Sequence, residues 1–574
     1  MRRTSMWTLA MPLLLGAWSV GSARDAGAAS DSTEADTLWA AESPSHLLWH
    51  VMLPDGNLIV AADSGLACYE AATGRVSWRF STLAPMTRDR VEIYPWQPYA
   101  LVYPPPAPAS PSLYGRPASA PAGPGPYASA LLLDLRDGGT LWSVEATGLS
   151  EILGSFILPQ VDGLLAYGPL KETGPEVMAL VDLHTGRPRW VREHRDARHL
   201  PEPRMVGPTA AEARRSISGE QAPFWLPDSS FLEVWSTAGL HRISAMTGDT
   251  LWTSDANMSQ TPARSKGYGP IVLSADSHSV YVPCKSQVQR IALSDGKRIW
   301  QQPSTLPRGA QDIVETPRGI VVRGGGGLGG LMGNKPVRHY LTAIDANTGR
   351  AQWKRPMEFI DDAPFKMRND SLVYIGGKQF GGTYDLMAIN TADGTKRIIV
   401  KKLRLDGHDS PYAIAVSDSG CRVVGNNNMS FYTWDGVRRM HSFQRQPEAS
   451  ALRKFGLFTA SLAASVALSA AMPSFGMGGG SYYYYQPMVI VGFNNAPRWV
   501  AAHNEPEYLY RVTNVYGGDP ARRQDTGVVK LAVSDGKVVR RARLDTKSPD
   551  YIVDSFGERL FFFSEDNRIV CFRF

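Results

Sequence analysis

The chain has 574 residues, 43% apolar and 20% charged, a globular composition. That is too long for one small core and long enough for several domains or one large repeat architecture. The formal net charge of +6 is spread along the sequence, with no run of five or six basic residues, which argues against a nucleic-acid partner.

The first residues read as a targeting segment. Arg2 and Arg3 precede an apolar run from Met6 to Val20, and small residues follow. This order predicts a secretory signal peptide over residues 1–28, cut after Ala23 or Ala28. The expected location is therefore outside the cytoplasm, in a periplasm or at a cell surface. No Cys lies near the cleavage region, so no lipid anchor is expected. The four Cys (Cys68, Cys284, Cys421, Cys571) are far apart and form no CxxC or CxxCH. Haem attachment and a Cys-rich zinc site are thereby disfavoured. Disulfides are permitted on export, with connectivity open. Four small buried strand residues is the simpler expectation.

From there one short pattern recurs. "ACYEAATGRVSW" places Gly74 four residues before Trp78. The same step joins Gly138 to Trp142, Gly186 to Trp190, Gly248 to Trp252, Gly296 to Trp300 and, in "AIDANTGRAQW", Gly349 to Trp353. Weaker copies around Gly394, Gly436 and Gly536 keep the Gly and lose the Trp. Each copy reads as strand, tight turn, strand. An apolar run leads in, and an Asp, Asn or Ser side chain caps the turn. Gly supplies the positive φ, and Trp offers a large flat surface to a neighbouring unit. With two more short strands upstream, each unit is a four-stranded propeller blade.

Several segments interrupt the pattern. The Pro-rich stretch 104–126 cannot be a ladder strand and is expected as a loop. The Gly-rich Arg323 to Asn334 separates two strand-like runs of one blade, which disfavours a phosphate cradle. His194, His199 and His408 have no metal-ligand spacing. Residues 451–486 break the repeat altogether. Ala451 to Met472 is Ala- and Leu-rich and predicts a helix, but its Ser and Thr content is poor for a membrane span. The tail of this insertion (Phe475, Met477, Tyr482, Tyr483, Tyr484, Tyr485) is a candidate partner-binding or peripheral membrane surface. Finally, "DNRIVCFRF" stops at a third strand. "DTLWAAE", around Trp39, looks like the missing fourth. The two predict one blade shared between the ends, closing the ring.

These turns resemble the tryptophan-docking repeat of quinoprotein dehydrogenases and of their non-enzymatic relatives, the PQQ-like propellers of BamB type. The resemblance covers residues 37–574. It implies an all-β chain forming a single propeller of eight to ten blades, eight being typical, with one helical insertion. It also implies that Trp39, Trp78, Trp142, Trp190, Trp252, Trp300 and Trp353 dock blades and take no part in catalysis. The alcohol-oxidising members carry adjacent cysteines and a Ca²⁺ site beside the quinone. This sequence has no Cys-Cys pair. Asp361, Asp362 and Asn426 to Asn428 are the oxygens it offers, short of a dense acidic loop. The expectation is a non-catalytic scaffold that binds envelope proteins and carries no cofactor. The alternative is a dehydrogenase of alcohols or sugars using PQQ and Ca²⁺.

Overall fold

The computed structural model describes residues 33–574 apart from 82–84, 95–96, 105–128, 171–175, 194–223, 236–238, 255–270, 285, 308, 326–338, 360–364, 379–382, 445–506, 516–525, 545 and 547–548. The helical insertion expected at 451–486 lies outside the described residues, as do the signal peptide and the Pro-rich stretch.

The described chain is all-β. It folds into ten antiparallel sheets, nine of four strands and one of three. Blade 1 consists of Leu47–Met52, Leu58–Ala62, Gly65–Tyr69 and Val76–Ser81. Blades 2 to 9 follow in chain order over 91–143, 154–193, 224–254, 272–305, 310–359, 365–403, 411–443 and 508–543. Blade 10 takes Asp550–Asp554, Arg559–Phe563 and Arg568–Arg573, and its fourth strand is Thr37–Glu42 from the other end. The weak copies at Gly394, Gly436 and Gly536 are thus full members of the ring. The family-typical number of eight is exceeded because each of them still turns a strand pair.

Sequence pattern and position agree strand by strand. The second strand of blade 1, Leu58–Ala62, is buried throughout. Neighbouring blades cover both its faces, so an unbroken apolar run is stable there. The fourth strand alternates, as in Pro188–Glu193, because one face meets solvent at the rim. Ten apolar clusters fill the ten gaps between consecutive blades, including the gap from blade 10 back to blade 1. In that last gap Leu58, Val60 and Tyr69 pack on Phe561, Phe563 and Ile569.

Cys68, Cys421 and Cys571 are free and buried. Burial pushes their thiols up, to about 11 for Cys68 and about 12 for the other two, which leaves them unreactive.

Candidate interaction surface

The turn motif works between blades, not within one. The indole of Trp353 in blade 6 lies over Gly394 of blade 7, and that of Trp300 over Gly349. Trp39, Trp78, Trp142, Trp190 and Trp252 likewise cover Gly74, Gly138, Gly186, Gly248 and Gly296. In all seven, Nε1 donates to the carbonyl three residues before the covered glycine, at 2.7 to 3.0 Å. The glycines hold φ between +70° and +74°, and a Cβ on any of them would sit 2.5–2.9 Å from the ring. The acidic residue of the motif builds the turn. Asp345 Oδ1 accepts from the backbone N–H of Asn347 and Thr348 at 3.0 and 2.8 Å, the expected Asx geometry. In blades 4 and 5 an arginine joins the dock. Arg290 Nη1 shares the Ala346 carbonyl with Trp300, and Arg242 shares that of Leu293 with Trp252.

Three consecutive gaps lack this device. Between blades 7 and 8 the tryptophan position is Ile398, which stays 45% exposed. With no indole between them, Gly436 closes on the Ile399 carbonyl instead. An indole arrives from the other side: Trp434, in the turn of blade 8, donates to the Asp418 carbonyl at 2.9 Å. The guanidinium of Arg368 from blade 7 lies over it, 4.0 Å from the centroid. Between blades 8 and 9, Met440 takes the tryptophan's place over Gly536. Deeper in this gap, the buried Arg511 donates to the carbonyls of Gly425, Asn426 and Asn428 at 2.7–2.8 Å. Asp409 holds the same loop by accepting from the backbone N–H of Asn426, Asn427 and Asn428. Asn426 to Asn428 thus form a hairpin corner in which Arg511 occupies the carbonyls of Asn426 and Asn428 and the Gln444 N–H that of Asn427. Between blades 9 and 10 the position is Arg540, which donates to the Glu34 carbonyl. Residues 33–36 run beside the fourth strand of blade 9, with Ala35 N–H on Arg541 O at 2.7 Å and Arg541 N–H on Thr33 O at 2.6 Å.

The two faces of the ring differ. One carries the turns between first and second strands and between third and fourth, such as 53–57, 159–162, 183–187 and 391–395. None exceeds 11 residues, and backbone hydrogen bonds hold them. Every connection longer than a dozen residues belongs to the other face: 103–130, 194–223, 255–271, 326–338 and 444–507. The Gly-rich segment is one of these, joining the paired strands Gly319–Gly325 and His339–Asp345. Phe475, Met477 and Tyr482 to Tyr485 fall within 444–507, outside the described residues, as do His194, His199, Asp361 and Asp362.

Among the described residues, no three His, Cys, Asp or Glu side chains converge as a metal site would. No described helix is long and apolar enough to cross a membrane. A cleft lies on the tight-turn face between blades 7 and 8. It has a volume of about 220 Å³, and Arg368, Lys396, Arg397 and Trp434 are in its wall.

A closed ring of antiparallel blades defines a β-propeller. Residues 128–397 match the family model described as outer membrane protein assembly factor BamB, a span of just under half of the chain. Solved structures that match the chain include BamB from Moraxella catarrhalis, 14% identical, covering 71% of this chain and 100% of that one at a TM-score of 0.32. A quinohemoprotein alcohol dehydrogenase from Pseudomonas putida HK5 is 11% identical, covering 75% and 81% at 0.28. No curated protein matches.

Proposed function

We propose that this propeller is an exported, non-catalytic scaffold of the cell envelope that binds other proteins through its long-connection face. The observation carrying this reading is the asymmetry of the ring. Seven indole staples fix the blades, while all connections longer than about a dozen residues leave from one side. Rigid scaffolds present recognition loops in this way. The description of the matched family model, an outer membrane assembly factor, agrees with an envelope role.

The test is crosslinking in the native envelope, followed by capture of the protein and mass spectrometry. Three forms are compared with the intact chain. In one, residues 451–486 are replaced by a short Gly-Ser link. In another, 105–128 is shortened. The third carries Asp295→Lys and Lys297→Glu on the tight-turn face, where both residues are exposed. Partners lost with the loop variants and kept with the third support the reading. Partners lost only with the third would move the site to the opposite face. Stoichiometric PQQ in the purified protein would replace the scaffold by a quinone-dependent dehydrogenase of alcohols or sugars.

A further inference from the structure

The cleft between blades 7 and 8 stands apart from the long-connection face, and its chemistry is distinct. Three cations meet there from two strands of blade 7. Arg368 ends the first strand of blade 7, Phe365–Arg368, and Lys396 and Arg397 begin the fourth, Lys396–Leu403. None of the three is in an ion pair with a carboxylate among the described residues. Arg368 is held flat on the Trp434 indole and makes one long hydrogen bond, Nη2 to the Asp418 carbonyl at 3.5 Å. Arg397 Nη1 donates to the Trp434 carbonyl at 3.1 Å. Two acidic side chains of the adjoining turns are occupied locally, and Asp370 and Asp418 are exposed. Asp393 accepts from Thr395 N and Oγ1 at 2.9 and 2.7 Å, and Asp435 accepts from Thr433 Oγ1. Ser371 and Thr395 add hydroxyls to the wall.

Three unneutralised cations around one small cleft repel one another. Such a cluster is stabilised by an anion carrying more than one negative oxygen. Guanidinium forks match a tetrahedral oxyanion, and a lysine adds a point charge. We propose that this cleft binds a phosphate group. It exists because blade 7 has Ile398 where the preceding blade has Trp353: the indole that would cover the blade 8 turn is absent. A phosphate displayed on a lipid headgroup and a free phosphate would present the same oxygens.

The experiment uses the full chain. Co-sedimentation is measured with phosphatidylcholine vesicles, with and without phosphatidylglycerol. Calorimetry is run with inorganic phosphate, and with acetate as the carboxylate control. The variants are Lys396→Glu/Arg397→Glu and, in case the pair perturbs the blade, Lys396→Glu alone. Lys354→Glu/Arg355→Glu, exposed on blade 6, is the charge-matched control. The expected result is binding to phosphatidylglycerol vesicles that weakens about tenfold or more in the cleft variants and is kept in the control. Phosphate binding lost in the same variants, without vesicle binding, assigns the site to free phosphate. Equal response of cleft and control variants overturns the proposal. So does acetate binding as tight as phosphate, or no binding by the intact chain. None of these outcomes depends on what the long-connection face holds.

Discussion

At the scale of single residues, the dock separates into a backbone part and a packing part. Gly349 holds φ +70° beneath the Trp300 ring, and its added Cβ would lie 2.6 Å from the indole. Gly148 has nearly the same φ, +74°, with nothing within 4 Å of its added Cβ. Gly148→Ala therefore suffers only the left-handed backbone penalty, about 1 kcal/mol. Gly349→Ala adds displacement of the indole and is expected to cost about 1–3 kcal/mol more. Urea titration of the two variants measures the difference, and equal losses would refute the cradle. Trp353→Ala, removing a side chain only 4% exposed, is expected to cost about 3–5 kcal/mol. The turn carboxylates add an acid dependence. Burial disfavours the Asp182 charge, but Arg189 at 2.6 Å and the N–H groups of Thr185 and His184 outweigh it, holding its carboxyl at about 2. An unfolded chain binds that proton near about pH 4. The stabilisation is thus complete above about pH 4 and is lost as pH falls toward 2. Thermal melts of the wild type and Asp182→Asn should differ by a constant amount near neutrality and converge in acid.

At the scale of elements, legibility followed distance along the chain. The strand–turn–strand unit is readable because its hydrogen bonds, such as Gly349 N to Asp345 O, span only four residues. A glycine spaced from a tryptophan carries that geometry in the sequence itself. The shared blade was also visible, since a lone fourth strand at Trp39 and a missing one after Phe574 complement each other. The replacements for tryptophan were not legible. Trp434 precedes its glycine, so a search for Gly followed by Trp passes over it. Arg511 and the Gly425 carbonyl it binds are separated by 86 residues. The segment 33–36 meets Arg541 across nearly the whole chain. The cations of the cleft come from two strands, with Arg368 lying 28 residues before the pair that starts at Lys396, so no long basic run announces them. That last edge gives a local prediction. Ala35→Pro removes the donor to Arg541 O. Amide exchange in Val538–Arg543 should accelerate, while that in Val76–Ser81 stays unchanged; acceleration in both would mean that the whole ring is loosened.

At the scale of the whole molecule, the ring has two arcs. From blade 10 round to blade 7, every gap is closed by an indole on a glycine. From blade 7 to blade 10, the gaps are closed by three different substitutes: Arg368 on Trp434, Met440 with the Arg511 network, and the 33–36 edge. Large buried aromatics contribute more packing than a methionine or an exposed isoleucine, and local opening follows the packing of each segment. Lys396–Leu403 and Arg438–Phe443 are therefore expected to exchange their amide hydrogens at lower opening free energy than Val76–Ser81 and Pro188–Glu193. Restoring the tryptophan should not repair this. Gly436 already lies against the Ile399 carbonyl, where its Cβ would be 2.3 Å away, so an indole at Ile398 finds no cradle. Ile398→Trp should leave the exchange of 396–403 unprotected. Strong new protection there would show that the seven docks form from the outer strand alone and do not need the spacing of the next blade's turn.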